Sequence, residues 1–181
     1  MSGRPVLIIC MGVSGCGKST LGRALAAALG FAFIEGDDFH GAENRARMAA
    51  GHPLTDAMRA PWIERICERL RLERAGRRDC VLACSGLRRA QRQVFRELGF
   101  DALYLHLEAD PATVAGRVAR RHGHYMPAAL VDSQFRDLQS PEGEPGVVAL
   151  DAGREFAPVL DDAFGRVHAW LQQRQVPATP S

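Results

Sequence analysis

The sequence lacks the features that mark a nucleic-acid-binding or membrane-bound protein. Its 23 lysine and arginine residues nearly balance its 21 acidic residues, so the net charge of +2 gives no general attraction for nucleic acid or for anionic lipid. The apolar run at residues 6–13 is too short to cross a bilayer and leads into a glycine-rich loop. We therefore expect neither nucleic acid nor a membrane among its partners.

Cysteine is present in an odd number and without a disulfide or metal-binding spacing. The five cysteines form no C-x-x-C pair, and several stand in apolar runs that are typical of buried strands. This usage favours reduced thiols and predicts a cytoplasmic protein.

Apolar runs and longer amphipathic stretches alternate along the 181 residues. Predicted strands lie at residues 6–10, 31–34, 80–84, 102–107 and 147–150. Predicted helices lie at residues 18–29, 57–75, 88–98, 111–121, 126–138 and 156–173. The alternation predicts an α/β fold in which helices cover both faces of a mainly parallel sheet. We expect one domain over residues 1–175 and a disordered tail at 176–181, where two prolines and small polar residues prevail.

A phosphate-binding loop follows the first predicted strand. Residues 12–19 read G-V-S-G-C-G-K-S and match the pattern G-x-x-x-x-G-K-[ST] at a strand-to-helix junction. The three glycines allow successive backbone N–H groups to converge on phosphate oxygens. Lys18 is expected to reach the β- and γ-phosphates, and the Ser19 hydroxyl is expected to bind Mg²⁺. The residues predicted to contact the nucleotide are Gly12, Val13, Ser14, Gly15, Cys16, Gly17, Lys18, Ser19 and Thr20, together with Arg117.

Two absences narrow the class of nucleotide-binding protein. The third apolar run continues into Ser85 without an acid, so the Mg²⁺-binding aspartate of motor-type ATPases is missing there. The sequence contains no Asn-Lys-x-Asp segment for reading guanine. A kinase for a small molecule or a nucleotide remains.

The acid that such a kinase needs is expected after the second strand. Asp37 follows that strand within E-G-D-D, at the edge where ligands bind in open α/β sheets. We predict that Asp37 orients or deprotonates the acceptor hydroxyl, whereas Glu35 is structural or lies behind the magnesium ion. The alternative is that Asp37 and Asp38 merely terminate the strand.

A basic helix end near residue 120 has the character of a closing lid. Arg117 and Arg121 share a helix face and precede a glycine at position 123, so residues 117–127 are a candidate lid. Arg121 is the predicted catalytic arginine that neutralises charge on the transferred phosphoryl group. The alternative is a solvated basic helix terminus.

Taken together, these segments resemble the gluconokinase family, which belongs with shikimate and adenylate kinases among P-loop phosphotransferases. The resemblance spans about residues 5–172. It includes G-D-D-F-H at 36–40, Asn44 and Met48, and G-H-P-L-T-D at 51–56 leading through Arg59 to P-W at 61–62. It continues with C-S-G-L-R-R at 84–89 and with G-H-Y-M-P at 123–127 leading to S-Q-F at 133–135. It implies a three-layer α/β/α sandwich of the P-loop nucleoside-triphosphatase type.

The resemblance also implies an activity and roles for particular residues. It implies ATP-dependent phosphorylation of D-gluconate at the C6 hydroxyl, with Mg²⁺ as cofactor and a homodimer as the assembly. Asp37 would activate that hydroxyl, and His40, Arg59 and Arg88 would hold the hydroxyls and carboxylate of gluconate. Further arginines, at positions 45, 47, 89 and 92, are alternatives for the carboxylate, since a planar guanidinium suits it best.

Two other functions stay open at this point. One is a kinase for another small acceptor, such as shikimate or a related sugar acid, because Gly86 and Gln91 depart from the alanine and tyrosine usual in the family. The other is a nucleotide-binding regulator without turnover. The presence of both Lys18 and Asp37 argues against the regulator.

Overall fold

The structure is a computed structural model that describes residues 3–120 and 128–175. Its strands are β1 (Val6–Met11), β2 (Ala32–Glu35), β3 (Cys80–Ala83), β4 (Asp101–Glu108) and β5 (Val147–Asp151). Its α-helices are α1 (Lys18–Leu29), α2 (Ala42–Ala49), α3 (Asp56–Ala75), α4 (Arg89–Arg96), α5 (Pro111–Arg120), α6 (Ala128–Asp137) and α7 (Phe156–Gln175). A 3₁₀ turn, Gly36–Phe39, follows β2 directly.

The sheet is parallel throughout the described part of the chain, with strand order β2-β3-β1-β4-β5. In this order β2 and β3 lie on one side of β1, and β4 and β5 lie on its other side, so the direction of strand addition reverses at β1. The end of β1 is therefore the point where ligands bind in folds of this type.

Successive side chains of β1 enter two different hydrophobic cores. Ile8 and Cys10 belong to a core with residues of α1, α5 and α7, whereas Leu7 and Ile9 belong to a core with residues of α3 and α4. Because neighbouring residues of a strand point to opposite faces, helices cover both sides of the sheet. The predicted three-layer α/β/α architecture is confirmed.

Local capping explains where two of the helices begin. The Thr55 hydroxyl accepts a hydrogen bond from the Met58 N–H at 3.3 Å, and Asp110 accepts one from the Thr113 N–H at 2.9 Å. Both residues precede a helix, where a side-chain oxygen satisfies one of the free backbone donors. The predicted helix starts near these residues are confirmed.

All five cysteines are free and buried, including the several for which an apolar run predicts burial. No helix within the described residues has both the length and the apolar character needed to cross a bilayer.

Candidate active site

The phosphate loop begins where β1 ends, and its glycines adopt backbone angles that favour glycine. The φ angles are 142° at Gly12, 84° at Gly15 and 101° at Gly17. A Cβ atom at Gly12 would also lie 2.7 Å from the carbonyl oxygen of Leu107 in β4. Any side chain at position 12 would therefore push the loop off the sheet.

Lys18 and Ser14 show how the loop is held. The Lys18 ammonium donates to the Val13 carbonyl at 2.9 Å, which keeps its charge over the loop. The Ser14 N–H donates to Oε1 of Gln134, a residue of α6, at 2.6 Å. The Gly12 N–H donates to the Ser85 carbonyl at 3.1 Å, which ties the loop to the end of β3.

Asp37 lies on the 3₁₀ turn after β2, and donors from α2 and α3 fix this turn. Each carbonyl of residues 36–40 accepts a hydrogen bond. The donors are Trp62 Nε1 to Gly36, the His40 N–H to Asp37, Arg45 Nη2 to Asp38, Arg65 Nε to Phe39 and Arg45 Nε to His40. The backbone under Asp37 is thus fixed, while its side chain remains 70% exposed.

One cavity brings the phosphate loop and the turn together. We call it the Asp37 cavity; its volume is about 330 Å³. Its lining includes Lys18, Asp37 and Arg59, so a mobile cation, a carboxylate and a guanidinium face one space. The other lining residues are Ser14, Asp38, His40, Arg45, Met48, Pro53, Leu54, Trp62, Ser85, Leu87, Leu130, Ser133 and Gln134. A small polar molecule bound here would contact both the phosphate loop and Asp37.

Arg59 and Arg88 share two carboxylates. Arg59 donates from Nη1 to Asp56 at 3.1 Å and from Nη2 to Asp137 at 2.5 Å. Arg88 donates from Nη2 to the other oxygen of Asp137 at 2.8 Å, and its Nε lies 3.7 Å from Asp56. Within the described residues, Arg59 lines the Asp37 cavity but Arg88 does not. The two arginines therefore form one cluster, with Arg59 nearer to the cavity.

The other arginines considered for a carboxylate ligand have structural partners. Arg45 holds the 3₁₀ turn, and Arg47 donates to the Pro53 carbonyl at 2.8 Å. Arg89 and Arg92 both pair with Glu144, and the Arg92 side chain is completely buried. Of these arginines, Arg45 lines the Asp37 cavity as Arg59 does. Arg59 is favoured because its guanidinium already binds carboxylate oxygens, whereas Arg45 donates to backbone carbonyls.

A second cavity lies on the other side of the phosphate loop. We call it the Arg117 cavity; its volume is about 340 Å³. Its lining includes Gly15, Cys16 and Gly17 of the loop and Thr20 of α1. The other lining residues are Leu21, Leu107, Arg117, Arg120, Ala152, Arg154, Glu155, Phe156 and Val159. The loop therefore forms a wall between the two cavities.

Arg117 is engaged with the chain around the Arg117 cavity. Its Nη1 donates to the Ala152 carbonyl at 2.6 Å, and its Nη2 donates to the Arg154 carbonyl at 3.0 Å. The guanidinium thus holds the segment between β5 and α7 in place. Arg117, which the sequence predicts to contact the nucleotide, therefore lines the same cavity as the predicted loop residues.

Oxygen donors suitable for Mg²⁺ lie near the start of α1. Burial raises the pKa of Glu35 above its ordinary value, and the neighbouring Ser19 hydroxyl opposes this shift. Hydroxyl and carboxylate oxygens are the ligands that Mg²⁺ prefers, so the donor set fits the ion. Among the described residues, no group of three histidine, cysteine or acidic side chains forms a closed metal cage.

Sequence reasoning did not find Asp137, and it gave no role to Asn44 or Gln134, which it noted only as part of the family resemblance. Asp137 has no motif of its own and meets Arg59 across 78 residues. Asn44 lies on α2, a helix that the apolar pattern did not predict. Arg121 and lid residues 121–127 lie outside the described residues, as does the tail at 176–181.

The fold, the phosphate loop and the Asp37 cavity define a P-loop nucleotide-binding protein of the small kinase class. A family profile described as an AAA domain matches residues 7–141. A gluconokinase of Gluconobacter oxydans is 36% identical over 166 residues, covering 92% of this chain and 93% of the relative. A thermosensitive gluconokinase of Escherichia coli is 37% identical over 167 residues, covering 92% and 89%.

Solved structures agree with these relatives. A gluconokinase from Sinorhizobium meliloti superposes with a TM-score of 0.82 at 37% identity, covering 97% of this chain and all of that one. An unliganded sugar kinase from a Janibacter species gives a TM-score of 0.84 at 34% identity, covering 91% and 95%. The chain belongs to the gluconokinase family.

Proposed function

We propose that this chain transfers the γ-phosphoryl group of ATP to the C6 hydroxyl of D-gluconate, giving 6-phospho-D-gluconate and ADP. The observation that carries this proposal is the Asp37 cavity, where Lys18, Asp37 and Arg59 face one space. The relatives described as gluconokinases support the choice of acceptor.

The two cavities suggest where each substrate binds. The Arg117 cavity, with its apolar side chains and arginines, suits the base and ribose of a nucleotide, whose phosphates would follow the loop. The Asp37 cavity suits a polyhydroxy acid, because it offers hydroxyl and guanidinium groups. The acceptor hydroxyl and the γ-phosphate would then meet between Lys18 and Asp37.

Each residue has a distinct task in this proposal. Asp37 accepts a hydrogen bond from the acceptor hydroxyl and takes its proton as the bond to phosphorus forms. Lys18 leaves the Val13 carbonyl and places its charge on the transferring phosphoryl oxygens. Arg59 holds the carboxylate of the acceptor and so fixes the distance of its far hydroxyl from Asp37. We assign Arg121 to charge neutralisation on the phosphoryl group as well.

Ser19 is the residue we propose for Mg²⁺, with Glu35 behind it. The ion would neutralise charge on the phosphate oxygens when it is bound with the nucleotide. The location and assembly that we propose are the cytoplasm and a homodimer. Five reduced, buried thiols favour the first, and family resemblance alone favours the second.

The test is ADP release with a coupled assay across gluconate, other sugar acids, shikimate and nucleoside monophosphates. We expect gluconate to give the highest kcat/KM, with phosphate at C6 of the product by ³¹P and ¹³C NMR. Shikimate or another sugar acid as the best acceptor would replace gluconate in this proposal. ATP binding without turnover on any acceptor would favour a regulator.

The role of Lys18 can be tested separately from the choice of acceptor. Lys18 is the only lysine of the chain. Reductive ¹³C-methylation therefore adds one lysine signal, which should shift when ATP binds. Lys18→Ala should abolish phosphoryl transfer while the thermal unfolding temperature stays within a few degrees, since the side chain contributes charge and not core volume. Near-normal turnover of a folded Lys18→Ala protein would contradict the role of the loop.

A further inference from the structure

His40 occupies a fixed position beside Asp37 that its predicted role in substrate binding does not explain. Its ring stacks on Trp62 with centroids 4.3 Å apart and planes 17° apart, and its side chain is 7% exposed. Trp62 is held in turn by its hydrogen bond to the Gly36 carbonyl at 2.8 Å. The imidazole therefore has little freedom to turn.

Asn44 determines which ring nitrogen carries the proton. Its Nδ2 donates to the Met58 carbonyl at 3.0 Å, and the same nitrogen lies 3.5 Å from Nδ1 of His40. Turning the amide over would place its oxygen against the Met58 carbonyl, so Nδ2 must face both groups. The second hydrogen of Nδ2 then points at Nδ1, which must accept it.

The charge state of His40 agrees with this assignment. Burial lowers the pKa of His40 to about 4, since the ring packs under α2 and α3. The Asp37 carboxylate opposes this shift, while Arg45, Arg65 and Arg59 reinforce it. The lowered pKa favours the neutral ring, and an Nδ1 that accepts from Asn44 leaves Nε2 as the site of its single proton.

Nε2 is the nitrogen that faces Asp37, at 4.0 Å from Oδ1. This separation is longer than a hydrogen bond, but the two partners differ in mobility. His40 is stacked and buried, whereas the Asp37 side chain is 70% exposed and can rotate. The fixed N–H can therefore capture the movable carboxylate.

We propose that His40 is a positioning residue for Asp37: Asn44 holds it in the Nε2–H tautomer, and its N–H orients the Asp37 carboxylate towards the acceptor hydroxyl. This inference rests on the proposed function and adds to it. One carboxylate oxygen accepts from His40, which leaves the other to take the proton of the hydroxyl. His40 itself gives up no proton during the reaction.

The first test reads the tautomer without any activity. ¹⁵N spectra of histidine-labelled protein at pH 7 should show a neutral His40 ring protonated at Nε2, with the signal assigned by its loss in His40→Gln. In Asn44→Leu, which keeps the volume but has no donor, the Nδ1–H tautomer should appear. An imidazolium at pH 7, an Nδ1–H ring in the wild type, or an unchanged ring in Asn44→Leu would overturn the proposal.

The second test separates positioning from binding and from packing. His40→Phe keeps the stack on Trp62 but has no N–H, and His40→Gln keeps a donor at the position of Nε2. We expect His40→Phe to lower kcat by about 10-fold or more, the scale of a hydrogen bond to a charged group, with KM for gluconate within about twofold. His40→Gln should restore most of kcat. Equal losses in both variants, or a rise in KM at constant kcat, would refute the positioning role.

A double-mutant cycle shows whether His40 acts through Asp37. In an Asp37→Asn background, His40→Phe should lower kcat by less than twofold, because the carboxylate it positions is gone. A full additive loss would refute the proposal. A wild-type protein that phosphorylates no gluconate would refute the proposed function alone, since the ¹⁵N measurement still tests the tautomer.

Discussion

Glu144 offers the sharpest test of what holds the wall of the Asp37 cavity in place. It follows α6 and accepts hydrogen bonds from Arg92 Nη2 at 2.5 Å and from Arg96 Nη2 at 2.7 Å. Arg92 is fully buried and also donates from Nη1 to the Leu87 carbonyl at 3.1 Å. Because no water can replace Glu144 at the Arg92 side chain, Glu144→Gln leaves a buried cation with a weaker partner.

The size of the effect follows from the pKa of Glu144. Hydrogen bonding to Arg92, and then to Arg96, lowers this pKa from an ordinary value of 4.5 to about 2. A difference of this size corresponds to about 3 kcal/mol of folding free energy at pH 7, which agrees with the scale for breaking a buried ion pair. We therefore expect Glu144→Gln to reduce the free energy of unfolding by about 3 kcal/mol.

The pH dependence has a definite sign. A carboxylate with a lowered pKa contributes its full stability above the unfolded pKa of 4.5, and the contribution is lost as pH falls towards the folded pKa of about 2. The stability gap between wild type and Glu144→Gln should thus narrow by about 1 kcal/mol or more between pH 7 and pH 3.5.

Urea unfolding followed by circular dichroism measures this gap at each pH. Glu142→Gln is the control, because Glu142 lies in the same loop, is exposed, and should change stability by less than about 0.5 kcal/mol. A gap below about 1 kcal/mol at pH 7, or one that stays constant down to pH 3.5, would refute the buried ion-pair account.

Three further predictions concern the reaction. Asp37→Asn should lower kcat by about 100-fold or more with ATP affinity nearly unchanged, and isothermal titration with an ATP analogue checks the second part; a loss of nucleotide affinity at normal kcat would make Asp37 a magnesium or capping residue. Arg59→Lys should raise KM for gluconate more than Arg88→Lys does, because Arg59 lines the Asp37 cavity; the reverse order in steady-state kinetics would assign the carboxylate to Arg88. Hydrogen exchange over residues 117–127 should slow with gluconate plus a non-hydrolysable ATP analogue and far less with gluconate alone. Arg121→Ala should lower kcat more than it lowers the affinity for gluconate. Unchanged exchange together with full activity of the Arg121→Ala variant would show that this segment is an ordinary basic helix end.

Local patterns explain why most of the fold could be predicted. Each predicted strand overlaps an observed one within two residues at either end, because continuous apolar runs are what buried parallel strands require. Helix α2 was missed for a related reason. It has eight residues, and its buried side chain is the polar Asn44, so its sequence carries no apolar period.

The phosphate loop could be predicted because its chemistry is local: nine consecutive residues supply the turn, the amides and the lysine. The arginines that are candidates for binding the acceptor could not be ranked from the sequence in this way. All but one of the chain's 23 basic residues are arginines, and their side chains have the same charge and the same donors wherever they stand. Only their contacts with residues far away in the sequence distinguish these arginines. Arg92 binds Glu144, 52 residues away, and Arg59 binds Asp137, 78 residues away.

The same comparison explains why Lys18 differs from every arginine around the site. An arginine fork bound to two carboxylate oxygens is held in one geometry, which suits Arg92 in its buried cluster and Arg59 beside Asp137. In the reaction we propose, the phosphoryl group changes position during transfer, and a cation that follows it needs a flexible side chain. A compact ammonium on a flexible stem, held by one carbonyl contact at Val13, meets that requirement. In the proposed reaction, fixed guanidinium groups would thus shape the acceptor site, and the single lysine would supply the movable charge at the phosphate loop.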